Sequence, residues 1–255
     1  MSAQSHVSLR IDNVSVRSGD RARLAGVSLD IAEGEVVGLF GPNGSGKSTL
    51  LGVISGELAP TSGEVALAGT PIYGMDPLTR ARTRAVLGQD NPSIFSFQVR
   101  EVVAWGRHCW RGRAEATDDE LIISESMAAF DVTALADRVL TQLSGGERAR
   151  VHLARVAAQR APILLLDEAD SHLDLVGRAH VDALVNSHRA RGGTCIVISH
   201  DLPRLAAVAD RIVLLAGGAV LASGPPAEVF TAGWIARAYG VGEPEAQRLL
   251  TGQIT

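Results

Sequence analysis

Gly41-Pro42-Asn43-Gly44-Ser45-Gly46-Lys47-Ser48-Thr49 is the stretch of this chain best suited to chemistry. Glycines at 41, 44 and 46 free the backbone to turn its N–H groups inward around anionic oxygens. A helix starting near Lys47 adds the partial positive charge of its N-terminus. The spacing fits G-x-x-x-x-G-K-[ST], the loop that cradles nucleotide phosphates. In that reading Lys47 reaches the β and γ phosphates and Ser48 ligates Mg²⁺.

A second reactive cluster follows the apolar run Ile163-Leu164-Leu165-Leu166, which delivers Asp167 and Glu168 to a strand end. Adjacent carboxylates there divide the work: Asp167 holds the metal ion, and Glu168 orients or deprotonates an attacking water. Asp167-Glu168-Ala169-Asp170 also spells the mark of an RNA helicase. A helicase needs a second nucleotide-gripping domain and a basic strand-binding surface, for which the chain has neither length nor charge. A further glycine-rich anion site, Ser144-Gly145-Gly146-Glu147, opens another helix. One nucleotide does not need two such sites in one chain. His200 follows the run Cys195-Ile196-Val197-Ile198, from which an imidazole reaches toward ligands at the carboxyl edge of an α/β sheet.

These groups need a frame, and the hydrophobic pattern supplies it. Short alternating runs within residues 7–32 read as antiparallel strands, and residues 36–40 read as a buried strand ending in the phosphate loop. The runs at 163–166 and 195–198 each follow a helix-like segment. The expected fold class is therefore α/β, a mostly parallel sheet with helices on both faces, together with an N-terminal antiparallel β subdomain. Between Asn91 and Arg160 the strand-like runs stop, which predicts an inserted helical subdomain. The expected organisation is one domain over 1–255, with a core of 7–90 and 161–255 and a helical insert of 91–160 that carries Ser144. After Ser223, Pro225 and Pro226 mark a break before a last helical segment.

The chain has 255 residues, 46% of them hydrophobic, and a net charge of −4. That is enough for a full core, and without concentrated positive charge nucleic acid is not an expected partner. The N-terminus lacks the basic and then apolar segments of a signal peptide, so a cytosolic location is expected. The apolar run from Ile212 is too short to span a bilayer and is broken by Gly217-Gly218, so it reads as a hairpin. Cys109 and Cys195 lie far apart and support neither a disulfide framework nor a zinc site.

Taken together, the motifs resemble those of the ATP-binding-cassette (ABC) ATPases over almost the whole chain. Residues 41–49 match the Walker A motif of that family, Gln89 its Q-loop, and Ser144-Gly145-Gly146-Glu147 its signature. Residues 163–168 match Walker B, Asp174 closes the D-loop, and His200 matches the switch histidine. The resemblance implies a P-loop NTPase core and ATP hydrolysis with Mg²⁺ at Ser48, Gln89 and Asp167. It also implies a head-to-tail homodimer sharing two ATP sites. There, Ser144, Gly145 and Gly146 of one copy close on the γ-phosphate held by Lys47 of the other, and Asp174 lies across the interface. By residue type Asp174 is also a helix N-cap, and the two roles are compatible.

The compact size resembles the nucleotide-binding subunits of bacterial importers. Residues 95–107 and 224–241 are most similar to the group that imports iron-siderophore complexes, haem or cobalamin. That resemblance implies integral membrane permease subunits as partners, indirectly a substrate-binding protein, and a location on the cytoplasmic face of the cell membrane. The rival reading is a soluble cassette ATPase, for example one serving iron-sulfur cluster assembly. Trp105 and Trp110 interleave with Arg107, Arg111 and Arg113 as in a single-strand-binding surface, although a helix end within the helical subdomain is the simpler reading.

Three positions depart from the family pattern. Ala169-Asp170 stand where Pro-Thr is usual; pointing inward, Asp170 would raise the pKa of Glu168 by like-charge repulsion, but it is expected to face solvent harmlessly. No aromatic residue lies near Ser18 to stack on adenine, which leaves Arg17 as a planar substitute. Glu147-Arg148-Ala149-Arg150 differs beyond the phosphate-facing glycines, where no loss of activity is expected.

Overall fold

All five residues of the run Val36–Phe40 are buried, which demands cover on both faces and pairing on both edges. A computed structural model, describing residues 7–88, 96–171 and 173–251, shows how this is met. The chain opens with β1 (Val7–Ser18), β2 (Arg21–Ala32) and β3 (Val36–Phe40), then α1 (Lys47–Ser55), β4 (Ser62–Leu67) and the short β5 (Thr70–Pro71). Next come α2 (Pro77–Thr83), β6 (Arg84–Leu87), α3 (Val99–Ala104), α4 (Asp119–Ala129), α5 (Gly145–Gln159), β7 (Ile163–Asp167) and α6 (Leu175–Ala190). The last part holds β8 (Thr194–Ile198), α7 (Leu202–Val208), β9 (Arg211–Ala216), β10 (Ala219–Gly224), α8 (Pro226–Val229), α9 (Ala232–Tyr239) and α10 (Glu243–Leu250). Residue contacts divide the chain into two compact units, one running to Met75 and resuming at Thr194, the other spanning Asp76–Gly193.

In the first unit β3 lies between two parallel neighbours, with Val36 opposite Cys195 of β8 and Val37 opposite Arg211 of β9. The Gly217-Gly218 turn returns β10 antiparallel to β9, as the sequence predicts. Gly38 sits mid-strand because a Cβ there would come within 2.7 Å of Ile212 Cδ1 and 2.8 Å of Leu205 Cγ. The missing side chain lets α7 settle onto the strand. A two-pronged ion pair locks the approach to β3: Arg211 Nε donates to Glu35 Oε1 at 2.6 Å and Nη2 to Oε2 at 3.0 Å. Half-burial of Glu35 opposes its ionisation, but the Arg211 hydrogen bonds and the Ala32 N–H outweigh it and hold the carboxyl below its ordinary range. A separate antiparallel sheet, ordered β2-β1-β4-β5, forms the N-terminal β layer.

In the second unit β6 and β7 pair in parallel, Ala85 opposite Leu164, and the segment from α3 to α5 is helical among the described residues. Arg107, only 3% exposed, is spent inside this unit. Its Nε donates to Asp119 at 2.7 Å, its Nη1 to the Ala158 carbonyl at 3.0 Å and its Nη2 to the Glu115 carbonyl at 2.8 Å. The same guanidinium stacks on Trp110, whose indole N–H donates to the Gln159 carbonyl at 2.8 Å. Arg107 and Trp110 are thus consumed by packing, and the segment is a helix end that continues from α3.

Candidate functional site

The phosphate-loop glycines are required by geometry as well as by chemistry. Gly41 has φ +148° and Gly46 φ +107°, in the left-handed half of backbone space. A Cβ on Gly41 would lie 2.1 Å from the Leu215 carbonyl oxygen, and one on Gly46 would lie 2.8 Å from that of Arg23. Gly46 caps α1, and Leu50 N–H donates back to the Gly46 carbonyl at 2.8 Å. Lys47 is 6% exposed; its ammonium donates to the Gly41 carbonyl at 2.8 Å and the Pro42 carbonyl at 3.0 Å. The cation therefore sits at the rim of the loop, with Asn43, Gly44 and Ser48 exposed around it. Substituting Gly46→Ala is expected to lower stability by about 1–3 kcal/mol and to weaken nucleotide binding, because both φ and the Arg23 carbonyl oppose a Cβ. Thermal melts with and without ATP check this, and an unchanged melt together with a normal ATP shift would contradict it.

His200 lies in the same unit and at the same sheet edge. It follows β8, which runs parallel to β3, and Ser199 before it is buried while His200 itself is exposed. Asp201 next to it caps α7 by accepting from the Arg204 N–H at 3.1 Å. The His200 side also borders a cavity of about 280 Å³ lined by Phe40, Leu202, Ile235 and Tyr239. Phe40, the last residue of β3, packs edge-on against Phe230 at 5.5 Å, so the C-terminal helices buttress the strand that carries the loop. Arg17, expected as a planar substitute, donates from Nη2 to the Asp20 carbonyl at 3.0 Å, a bond in the plane of the guanidinium. A further cation, Arg21, lies beside the loop, its Nη2 3.9 Å from where a Gly44 Cβ would be.

The second unit holds the other candidates. Asp167 ends β7, and Glu168 follows with φ +50°, a left-handed conformation that costs a non-glycine residue about 1 kcal/mol or more. The turn is closed by the Ser171 N–H donating to the Glu168 carbonyl at 2.9 Å. Asp170 is 8% exposed, which corrects the expectation that it faces solvent: the turn at Glu168 carries it inward. Asp174 caps α6, its Oδ1 accepting from the Gly177 N–H at 2.8 Å. Gln89 lies outside the described residues.

Ser144 caps α5 in a reciprocal arrangement. Its hydroxyl accepts from the Glu147 N–H at 3.3 Å, while Glu147 Oε2 accepts from the Ser144 N–H at 2.8 Å. The Ser144 hydroxyl also donates to Glu147 Oε2 at 2.7 Å, and this bond together with that from the Ser144 N–H holds the Glu147 carboxyl below its ordinary range. Gly145 and Gly146 occupy the first turn with nothing within 4 Å of where a Cβ would stand. Glycine costs roughly 1 kcal/mol per helical position relative to alanine, and no packing inside this unit asks for it.

One residue of this region carried no signal in the sequence. His152, on α5, lines a cavity of about 100 Å³ with Glu168, Ser171, Leu87 and Gly88. Burial, with Arg155 and Arg148 nearby, pushes its imidazole down to about 4, which keeps it neutral. A lone histidine in a helix reads as packing until the fold places it beside a carboxylate.

Comparison with known proteins now adds to this geometry. The family model for ABC transporters matches residues 24–171. The chain is 46% identical over 234 residues to the hemin import ATP-binding protein of Rhodococcus jostii, covering 92% of this chain and 80% of that one. It is 45% identical over 224 residues to the protein of the same name from Streptomyces coelicolor, covering 88% of this chain and 80% of that one. Among solved structures it is similar to a dimeric bacterial ABC transporter cassette, with a TM-score of 0.75 and 27% identity over 86% of this chain and 98% of that one.

Proposed function

The chain belongs to the ABC transporter family, and on that footing we propose that this ATP-binding ATPase subunit powers the import of haem across a cell membrane. Membership makes it an ATPase of a transporter; the cargo is our reading, supported by relatives named for hemin import. The observation that carries the mechanism is the exposed pair Gly145-Gly146, free of any neighbour a Cβ would meet. Helix-weakening glycines with open space above them suit a surface that another molecule approaches closely. The similar dimeric cassette supports a second copy as the bearer of that molecule, ATP.

In this reading the backbone of residues 41–49 and the Lys47 ammonium grip the phosphates in one copy. The N-terminus of α5, with Ser144, Gly145 and Gly146, closes on the γ-phosphate from the other. Glu168 orients the attacking water and accepts its proton, and His200 contacts the γ-phosphate from the carboxyl edge of β8. Mg²⁺ prefers oxygen ligands and retains water, and the residues fit that preference. Ser48 presents an exposed hydroxyl on the first turn of α1, and Asp167 presents a carboxylate at the end of β7; Gln89 is a further candidate by resemblance. When bound, the ion neutralises charge on the transferring phosphoryl group.

No helix among the described residues is long and apolar enough to cross a membrane, so the path for haem belongs to permease subunits. This chain then sits at the membrane's cytoplasmic face, with a substrate-binding protein delivering cargo on the far side. A soluble cassette for iron-sulfur assembly is not favoured, since the relatives are named as import proteins. The test is genetic. Cells lacking this chain should fail to grow on haem as sole iron source yet grow on inorganic iron, and wild-type protein but not Glu168→Gln should restore growth on haem. Undiminished growth on haem without the chain would remove the cargo assignment.

A further inference from the structure

His152 has no task in the mechanism above, although its surroundings suggest one. Both ring nitrogens are shielded from solvent and have no protein hydrogen-bond partner. A buried polar group left in that condition costs about 1–3 kcal/mol, so a purely structural role is better served by a leucine of similar volume. The cavity it lines is about 100 Å³, room for several water molecules. It is also polar enough to hold them, with Glu168, Ser171 and the Gly88 backbone in its wall. A neutral imidazole offers one donor and one acceptor, the pair needed to link a water to a carboxylate. Burial, helped by Arg155 and Arg148 on the same helix, disfavours its protonation.

The position along α5 matters as much as the chemistry. His152 stands seven residues after Gly145, about two helical turns from the end that meets the other copy's ATP. A shift of α5 on closure therefore moves the imidazole in the cavity that Glu168 shares.

We propose that His152 is a positioning residue for ATP hydrolysis, which holds the Glu168 carboxylate through water in their common cavity and so couples closure of the signature helix to alignment of the catalytic carboxylate. The proposal rests on the assignment of Glu168 as the residue that activates water.

The experiment measures kcat and KM for ATP, and Tm, for the full-length wild type, His152→Leu, His152→Gln and Glu168→Gln. The leucine variant is expected to lose about tenfold in kcat at unchanged KM, the size seen when supporting hydrogen bonds behind a reactive group are removed. Its Tm should stay within about 2–4 °C of wild type, because leucine fills a similar volume and no direct protein hydrogen bond is lost. Glutamine, which keeps a donor and an acceptor, should recover most of the kcat. Wild-type kcat in His152→Leu, equal losses in the leucine and glutamine variants, or a kcat loss matched by a Tm fall of about 10 °C or more would each overturn the role. Glu168→Gln inactive beside a fully active His152→Leu sinks only the His152 role, whereas a Glu168→Gln that turns over normally sinks the reading beneath it.

Discussion

Glu168→Gln should leave ATP binding intact, cut turnover by about 100-fold or more and leave an ATP-bound dimer that does not come apart. The expected size follows from removing a general base, which contributes typically about 10²–10⁴-fold. Glutamine has the shape of glutamate and can still hydrogen-bond a water, but it cannot take the proton. The backbone at this position makes the prediction specific. Glu168 sits at φ +50° directly after β7, and strain held at one residue by a well-ordered strand is common where a side chain must be aimed. Because binding relies on the phosphate loop and not on Glu168, the uncleaved nucleotide stays between the two copies. Steady-state turnover combined with light scattering in ATP and Mg²⁺ checks both halves. Wild-type turnover in the variant would remove Glu168 from catalysis, and a monomer in saturating ATP would remove the shared-site dimer.

Lys47→Ala should weaken ATP binding by about 100-fold. Hydrogen bonds to charged groups contribute about 1.5–3 kcal/mol each, and Lys47 is placed to act on phosphate with its full charge. It is nearly buried, and its ammonium already bridges the Gly41 and Pro42 carbonyls at the loop rim. Alanine deletes the cation and also the two ties that hold the loop in shape, so nucleotide affinity falls even where the fold survives. Titration of a fluorescent ATP analogue measures the loss. An unchanged affinity would contradict the assignment of residues 41–49 as the phosphate-binding loop.

The elements that carry these residues were legible because each is bounded by its own chemistry. β3 spans residues 36–40 as the apolar run predicts, and α1 starts at Lys47 where the glycines end. β7 and β8 extend the runs at 163–166 and 195–198 by one residue each. The hairpin at Gly217-Gly218 and the helices after Pro226 also follow local signals that need no tertiary context. β4 and β6 escaped notice because their short, half-polar runs, Ser62–Leu67 and Arg84–Leu87, become strands only by pairing with β1 and β7. In the same way β1 continues well past its apolar start because β2 and β4 pair with it along its length.

Within the candidate site the division is similar. Residues set by backbone demands, such as Gly41, Gly46 and the Ser144 cap, could be read from spacing. Residues set by how distant segments face each other could not. Arg21 comes beside Gly44 of the loop, and His152 shares a cavity wall with Glu168, only because the chain folds back on itself. Neither relation is local in sequence, so no periodicity or motif announces it.

The central claim, that this ATPase drives a membrane transporter, is tested most directly by tagging the chain in its native cell, solubilising the membranes gently and identifying what co-purifies. A polytopic membrane protein recovered in comparable amount is the predicted result. Recovery from the soluble fraction alone, with cytosolic partners, would contradict it.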